Sequence, residues 1–275
     1  MAIKWVDRVA THPGRVQLTP VQGQTNIYDM ERADEPTVAG TPINAANLNA
    51  MLQTAGLDAG KTVYVAVSGS DSTGDGSRTQ PYATIFKAIS EIPQNLNGYS
   101  ATIHISPGTY NENIALYGFH GGSLYLISTG NDATVNINSF QASDSASIRI
   151  QDMTLVVSGA VNSTGISLTN SVLITDGTIE LTGANTYGIY ANRNSSVQIS
   201  TLRVSNTTGM CVVSNGCSSV FMGNVSGSNN SGIGVGSLSG SILAYEQNTI
   251  TVPTKFYSYS GGRIYTGSQT SIPNY

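Results

Sequence analysis

Apolar and polar residues alternate in short runs through most of this chain, and over residues 147–262 the alternation itself repeats. Five blocks share one design: SIRIQDMTLVVSGAVNSTGISLTN, SVLITDGTIELTGANTYGIYANRN, SVQISTLRVSNTTGMCVVSNGC, SVFMGNVSGSNNSGIGVGSLSG and SILAYEQNTITVPTKFYSYSGG. Each holds three β-type runs parted by Gly, Asn, Ser or Thr. The first runs begin at Ile148, Val172, Val197, Val220 and Ile242, steps of 24, 25, 23 and 22 residues. The pairs Ile148/Ile150, Val172/Ile174, Val197/Ile199 and Ile166/Leu168 are spaced to bury one face of a strand. No block carries a helical stripe, β-branched residues dominate the apolar positions, and the leucine-rich frame LxxLxLxxN is missing. A short fixed period with three strands per repeat predicts an all-β chain folded as a right-handed parallel β-helix.

A recurring amide follows from the same alignment. Asn162, Asn185, Asn206 and Asn229 stand three residues before Gly165, Gly188, Gly209 and Gly232. Stacked about 4.8 Å apart, they are expected to form an inward ladder in which each side chain bonds the next. The fifth copy falls on Val252, where the repeat degrades.

Residues 1–57 differ. Proline-rich, they offer strand-like pieces at 14–18 and 26–30 and a short helix from Asn44 or Asn47 through Leu48, Met51 and Leu52. So little apolar surface predicts a module that draws its core from a partner or from copies of itself. Residues 58–100 read as a cap: a strand at 63–67, an Asp/Gly loop, and a helix at 82–92 with Ile85, Phe86, Ile89 and Ile92 at helical spacing before Pro93. An open solenoid end needs such a cover. Residues 101–275 form the β-helix, with ATIHISPGTYNENIAL as the first coil and Pro107-Gly108 at its turn.

The motifs WVDR and ERADEPTVAGTPINAANLN, followed by a β-helix, resemble tail-fibre and baseplate-associated proteins of tailed bacteriophages and prophages. The order YVA, GSD, DGS, proline, then a helix with ATI…KAI resembles the N-terminal cap of pectate-lyase-like β-helices. The resemblance implies a homotrimer made in the host bacterial cytoplasm and carried in the virion tail. Residues 1–57 would bind other tail or baseplate proteins, and the shaft would contact a host-surface receptor or glycan. A tailspike-like polysaccharide depolymerase, glycoside hydrolase or lyase, is the alternative, because β-helices host both kinds of protein. A pure spacer touching only other virion proteins is a third reading.

Composition narrows the choice. The chain has 275 residues, net charge −4, only 10% charged residues and 30 glycines, which suits a turn-rich all-β protein. There is no basic patch for nucleic acid, no apolar run near the roughly 18 residues a membrane span needs, and no secretory h-region in MAIKWVDRVA. Cys211 and Cys217 lie six apart across an Asn-Gly turn and read as free thiols of a reducing compartment. No cofactor is implied.

Glycoside hydrolysis needs two carboxyl groups about 5–9.5 Å apart. The repeats offer Asp152, Asp176 and Glu180 as candidates, with Asp144 and Glu246 beside them. Asp152 and Asp176 align at one turn and are expected on adjacent coils, either as a pair or as two turn aspartates. Glu180 aligns with Val156 one coil before and Arg203 one coil after, which predicts a surface ion pair of ~0–1 kcal/mol. The polygalacturonase pattern is absent, and His12, His104 and His120 lie outside the repeats. Asp71 and Asp75 suit calcium ligation or, alternatively, a tight turn before the cap. Of the aromatic residues, Tyr190, Tyr245, Tyr257 and Tyr259 are the binding candidates, with Tyr190, Cys211 and Tyr257 expected at equivalent outward positions. Exposed tyrosines stack on sugars, and they equally suit a trimer interface or a plug over the last coil.

Overall fold

A computed structural model describes residues 9–10, 16–23, 28–32, 36–38, 56–158, 164–184, 186–239, 241–266 and 271–272. The chain divides into two compact units, Met1–Ala55 and Gly56–Tyr275.

In the first unit Val16–Pro20 pairs antiparallel with Tyr28–Arg32, and Val9–Ala10 with Pro36–Val38. Leu18 stands opposite Met30. Leu18, Tyr28 and Met30 are all more than half exposed, at 57, 52 and 69%. The helix expected near residues 44–52 lies outside the described residues.

The second unit is a right-handed parallel β-helix with three strands per coil. Sheet 1 begins with Lys61–Val65, Ser100–Ile105, Ser123–Ser128 and Ile148–Gln151. It continues through the first halves of Val172–Thr182, Ser196–Ser205, Ser219–Gly227 and Ile242–Ile250, and ends at Arg263–Thr266. Sheet 2 holds Gly108–Thr109, Ala133–Ile137, Met153–Ser158 and the second halves of those four long strands. Sheet 3 stacks Asn113–Tyr117, Ser139–Ser143, Ile166–Thr169, Tyr187–Asn192, Met210–Ser214, Ile233–Leu238 and Thr254–Tyr259. Each strand pairs in parallel with its counterpart one coil on. Ser271–Ile272 alone folds back antiparallel on Arg263–Thr266. The inward side chains, Ile103, Leu124, Ile137, Phe140, Ile150, Leu168 and Val212 among them, form one continuous apolar core.

In sheet 1 the register corrects the expected alignment by one residue. Ile148 pairs with Leu173, which pairs with Val197, then Val220, then Leu243. Leu173 and Thr175 therefore face inward, and Val172 and Ile174 outward. The run Val172-Leu173-Ile174 is apolar on both faces, so alternation alone does not choose between two registers that exchange the faces.

The asparagine ladder is also corrected. Asn206 and Asn229 are in register but exposed, and the Asn206 amide donates outward to the Thr182 hydroxyl at 3.3 Å. Asn162 and Asn185 lie outside the described residues. Asn206 and Asn229 have φ of +58° and +57°, with Gly183 at +77° in the same column. Asparagine tolerates this left-handed corner better than other side chains do. One residue further on, Asn230 is buried, accepting from Thr207 N–H (2.9 Å) and donating to the Val204 carbonyl (2.8 Å).

Serine supplies the inward ladder instead. Ser145, Ser171, Ser195, Ser218 and Ser241 are buried at the corner leading into sheet 1. The Ser171, Ser195 and Ser218 hydroxyls accept the backbone N–H of Ser145, Ser171 and Ser195 at 3.1–3.3 Å. Ser171 and Ser195 also donate to carbonyls of their own coil. Buried backbone donors at a corner with no sheet partner are satisfied in this way.

The cap helix is shorter than expected, Ile85–Ser90, because Thr84 is its N-cap and accepts from Lys87 N–H. Glu112 accepts from Ile85 and Phe86 N–H at 3.0 and 2.8 Å, tying the helix to the first coil. Ile85 and Ala88 are buried. Phe86, expected on the buried face, is 69% exposed.

Candidate functional site

The register of sheet 1 decides where the acids stand. Because of the one-residue shift in sheet 1, Asp176 lies beside Gln151, whose amide donates to its carboxylate at 3.0 Å. Asp152 sits one position on, exposed at a left-handed corner of φ +52°. Asp176 thus stands directly opposite Gln151, and Asp152 lies one residue off the expected alignment. Glu180 stacks in register between Val156 and Arg203, and its carboxylate lies 3.9 Å from the guanidinium. Both partners are well exposed, so the pair adds little.

In the cap loop Asp71 serves as a tie. Its carboxylate accepts from Ala83 N–H (2.8 Å), Thr84 N–H (3.1 Å) and the Thr84 hydroxyl (2.6 Å). Desolvation opposes its charge, but these bonds outweigh it and hold the pKa below the ordinary value. The Ser77 side chain, and then the Ser77 N–H that donates to Asp75 at 2.8 Å, hold the Asp75 pKa below its ordinary value likewise. Among the described residues no three His, Cys, Asp or Glu side chains are grouped as a metal site.

The tyrosines separate into two groups. Tyr245 is buried against Phe256, with ring centroids 5.8 Å apart, and burial pushes its pKa up to about 12. This corrects its assignment to the surface, and the cause is again the register, which pairs Tyr245 with the inward Met222. Tyr257 and Tyr259 are exposed on the last strand of sheet 3, at 40 and 64%. Tyr190 stacks on Tyr187 (4.7 Å) and its hydroxyl accepts from the Asn215 amide at 2.9 Å. The column running from Tyr190 to Tyr257 passes through Val213 and Gly236, not Cys211.

Cys211 instead enters the core, in register with Gly188, where burial pushes its thiol up to about 12. Cys217 is exposed. Only the thiolate is nucleophilic, so a thiol-specific reagent near pH 8 is expected to label Cys217 alone in the native protein and both cysteines in urea. Mass spectrometry of the labelled peptides checks this. Native labelling of Cys211 would contradict its placement.

A further cluster lies on the outer face of sheet 1 near the cap. One column runs Thr102, Tyr125, Arg149, Ile174, and the column beside it Tyr64, His104, Ile127, Gln151. Tyr64 and His104 stack with centroids 4.9 Å apart, and the Arg149 guanidinium lies 5.9 Å from the Tyr125 centroid. Desolvation, with the charge of Arg78 adding to it, holds the His104 pKa below its ordinary value. The signal for this cluster was present in the steps of 23 and 24 residues from Thr102 to Tyr125 to Arg149.

The protein is thus a capped parallel β-helix whose outer faces carry separate aromatic groups. The chain matches no protein-family model, no curated protein and no solved structure.

Proposed function

We propose that this chain is a structural protein of a tailed-phage or prophage virion, a homotrimeric fibre, spike or baseplate component that contacts the host surface. Residues 1–57 would hold it to its own copies and to other tail proteins, and the shaft would present aromatic groups to a host glycan or receptor. The observation that carries the reading is the hairpin of the first unit, which leaves Leu18, Tyr28 and Met30 exposed. Apolar side chains in so small a unit gain by burial against another chain. Exposed Tyr257 and Tyr259 suit glycan contact, since tyrosine offers a flat apolar face and a hydroxyl. The depolymerase alternative is less well supported, because the residue directly opposite Asp176 is Gln151 and not the expected Asp152.

Light scattering of the full chain is expected to give three times 28.7 kDa. Replacing Leu18 and Met30 together by Asp is expected to dissociate it. The wild-type protein should bind host cells saturably, and Tyr257→Ala/Tyr259→Ala should weaken that binding. A monomeric wild type, or release of reducing ends from host polysaccharide that Asp176→Asn abolishes, would sink the structural reading.

A further inference from the structure

The cluster on the outer face of sheet 1 has unspent polar chemistry. Arg149 rises between Tyr125 and Ile174, half-buried, and among the described residues it has no ion-pair partner. Its Nε is out of solvent and without a hydrogen-bond partner. A partly desolvated cation normally has a counter-charge, and an unpaired buried donor in a well-packed protein calls for an explanation such as a bound ion. Asp176, the acid one coil on, is bonded to Gln151 instead. Arg78 adds a second positive charge whose field reaches His104.

Nearby hydroxyls fit the same chemistry. The Tyr117 and Tyr190 hydroxyls, on sheet 3, are engaged by Gln141 and Asn215. Those of Tyr64 and Tyr125, and the His104 imidazole, have no hydrogen-bond partner among the described residues. Along the sheet these groups recur at the coil spacing of about 4.8 Å, and along each strand at about 6.8 Å, two residues on. Tyrosine hydroxyls and a neutral imidazole take part in bonds to sugar hydroxyls, while a guanidinium fork takes a carboxylate in two parallel bonds.

We propose that the outer face of sheet 1 around Arg149 binds a carboxylated sugar, with the sugar carboxylate on the Arg149 guanidinium and its hydroxyls on Tyr64, His104, Tyr125 and Gln151. The choice of a glycan ligand rests on the host-contact reading above, but this site is distinct from Tyr257 and Tyr259. Asp176 borders it as an opposing negative charge. The ligand's charge and that of Asp176 therefore repel, which sets the direction of one test.

The full chain is titrated with polygalacturonate, alginate and polysialate, each beside its carboxyl-reduced form, by isothermal calorimetry at low and high salt. At least one acidic polymer is expected to bind, less tightly as salt rises, and its reduced form at least about tenfold more weakly, the scale of one lost charge-assisted contact. Arg149→Gln should weaken the acidic polymer to a similar degree and leave the reduced form unchanged. Asp176→Asn should tighten it severalfold, whereas a merely structural Asp176 would not alter affinity in that direction. Tyr64→Phe and Tyr125→Phe, which keep the rings, should each weaken it and remain folded. No binding by any acidic polymer, equal binding of a reduced form, or indifference to Arg149→Gln and to both Tyr→Phe changes would overturn the proposal. Host-cell binding that survives Arg149→Gln but fails in Tyr257→Ala/Tyr259→Ala would overturn this site while leaving the host-contact reading in place.

Discussion

Gly227→Ala is expected to destabilise the C-terminal coils by about 3–5 kcal/mol, the sum of backbone strain and overpacking. Gly227 closes the strand Ser219–Gly227 at φ +153°, a region L side chains rarely adopt. A methyl group there would overlap the carbonyl oxygen of Val204 on the coil before. It would also displace the Gly227 carbonyl that accepts from Thr251 N–H at 2.9 Å. Neither the clash nor the dihedral can relax without separating two coils. Gly130→Ala is the control: its φ is ordinary and its new methyl would meet the Ala133 side chain at 3.4 Å, an ordinary contact. It should change stability by no more than about 0.5 kcal/mol. Solenoid coils couple chiefly to their neighbours, so limited proteolysis of Gly227→Ala should cut the chain beyond residue 204 and spare the cap. Cleavage spread evenly along the chain, or an unchanged urea midpoint, would contradict this account.

Phe140→Ala should cost a similar amount, about 3–5 kcal/mol, for a different reason. Phe140 is 1% exposed, the bulkiest fully buried side chain among the described residues, and in register between Ile114 and Ile166. Truncating it leaves a cavity between two coils whose backbones are pinned by parallel hydrogen bonds and cannot collapse to fill it. Phe86→Ala removes the same atoms from a cap residue that is 69% exposed and should fall within about 0.5 kcal/mol of wild type. Urea titrations followed by far-ultraviolet circular dichroism compare the two. Equal losses would mean that the cap face carrying Phe86 is covered.

The contrast between those phenylalanines also marks how far the sequence reaches. Period, parallel stacking and three runs per coil were legible because β-branched residues recur against Gly and Asn. In the second run Thr178-Ile179-Glu180-Leu181 and Leu202-Arg203-Val204 alternate polar and apolar positions, so the Val156–Glu180–Arg203 column was readable to the residue. In the first run Val172-Leu173-Ile174 offers apolar side chains to both faces, and a shift of one residue followed. That shift set Asp176 opposite Asp152 instead of Gln151, and a second one, at Ile242-Leu243, turned Tyr245 outward instead of into the core. The serine ladder was illegible for another reason: serine at a turn is common, and only stacking shows that Ser171, Ser195 and Ser218 accept from the coil before. Phe86 fitted a helical stripe, but a six-residue helix is too short for the stripe to specify its buried face.

The corners have a consequence for length. A left-handed residue turns sheet 3 into sheet 1 at the same place in successive coils, at Asp144, Asn170, Arg193, Gly216, Ser239 and Ser260. Each coil also hands its open edge to the next in nearly the same register. A whole block could therefore be inserted or excised at such a corner while the cap and the final coil kept their own conformations. Each insertion would move the two apart by one strand spacing, about 4.8 Å. The shaft is in this sense a ruler graduated in coils, and its reach changes by whole divisions.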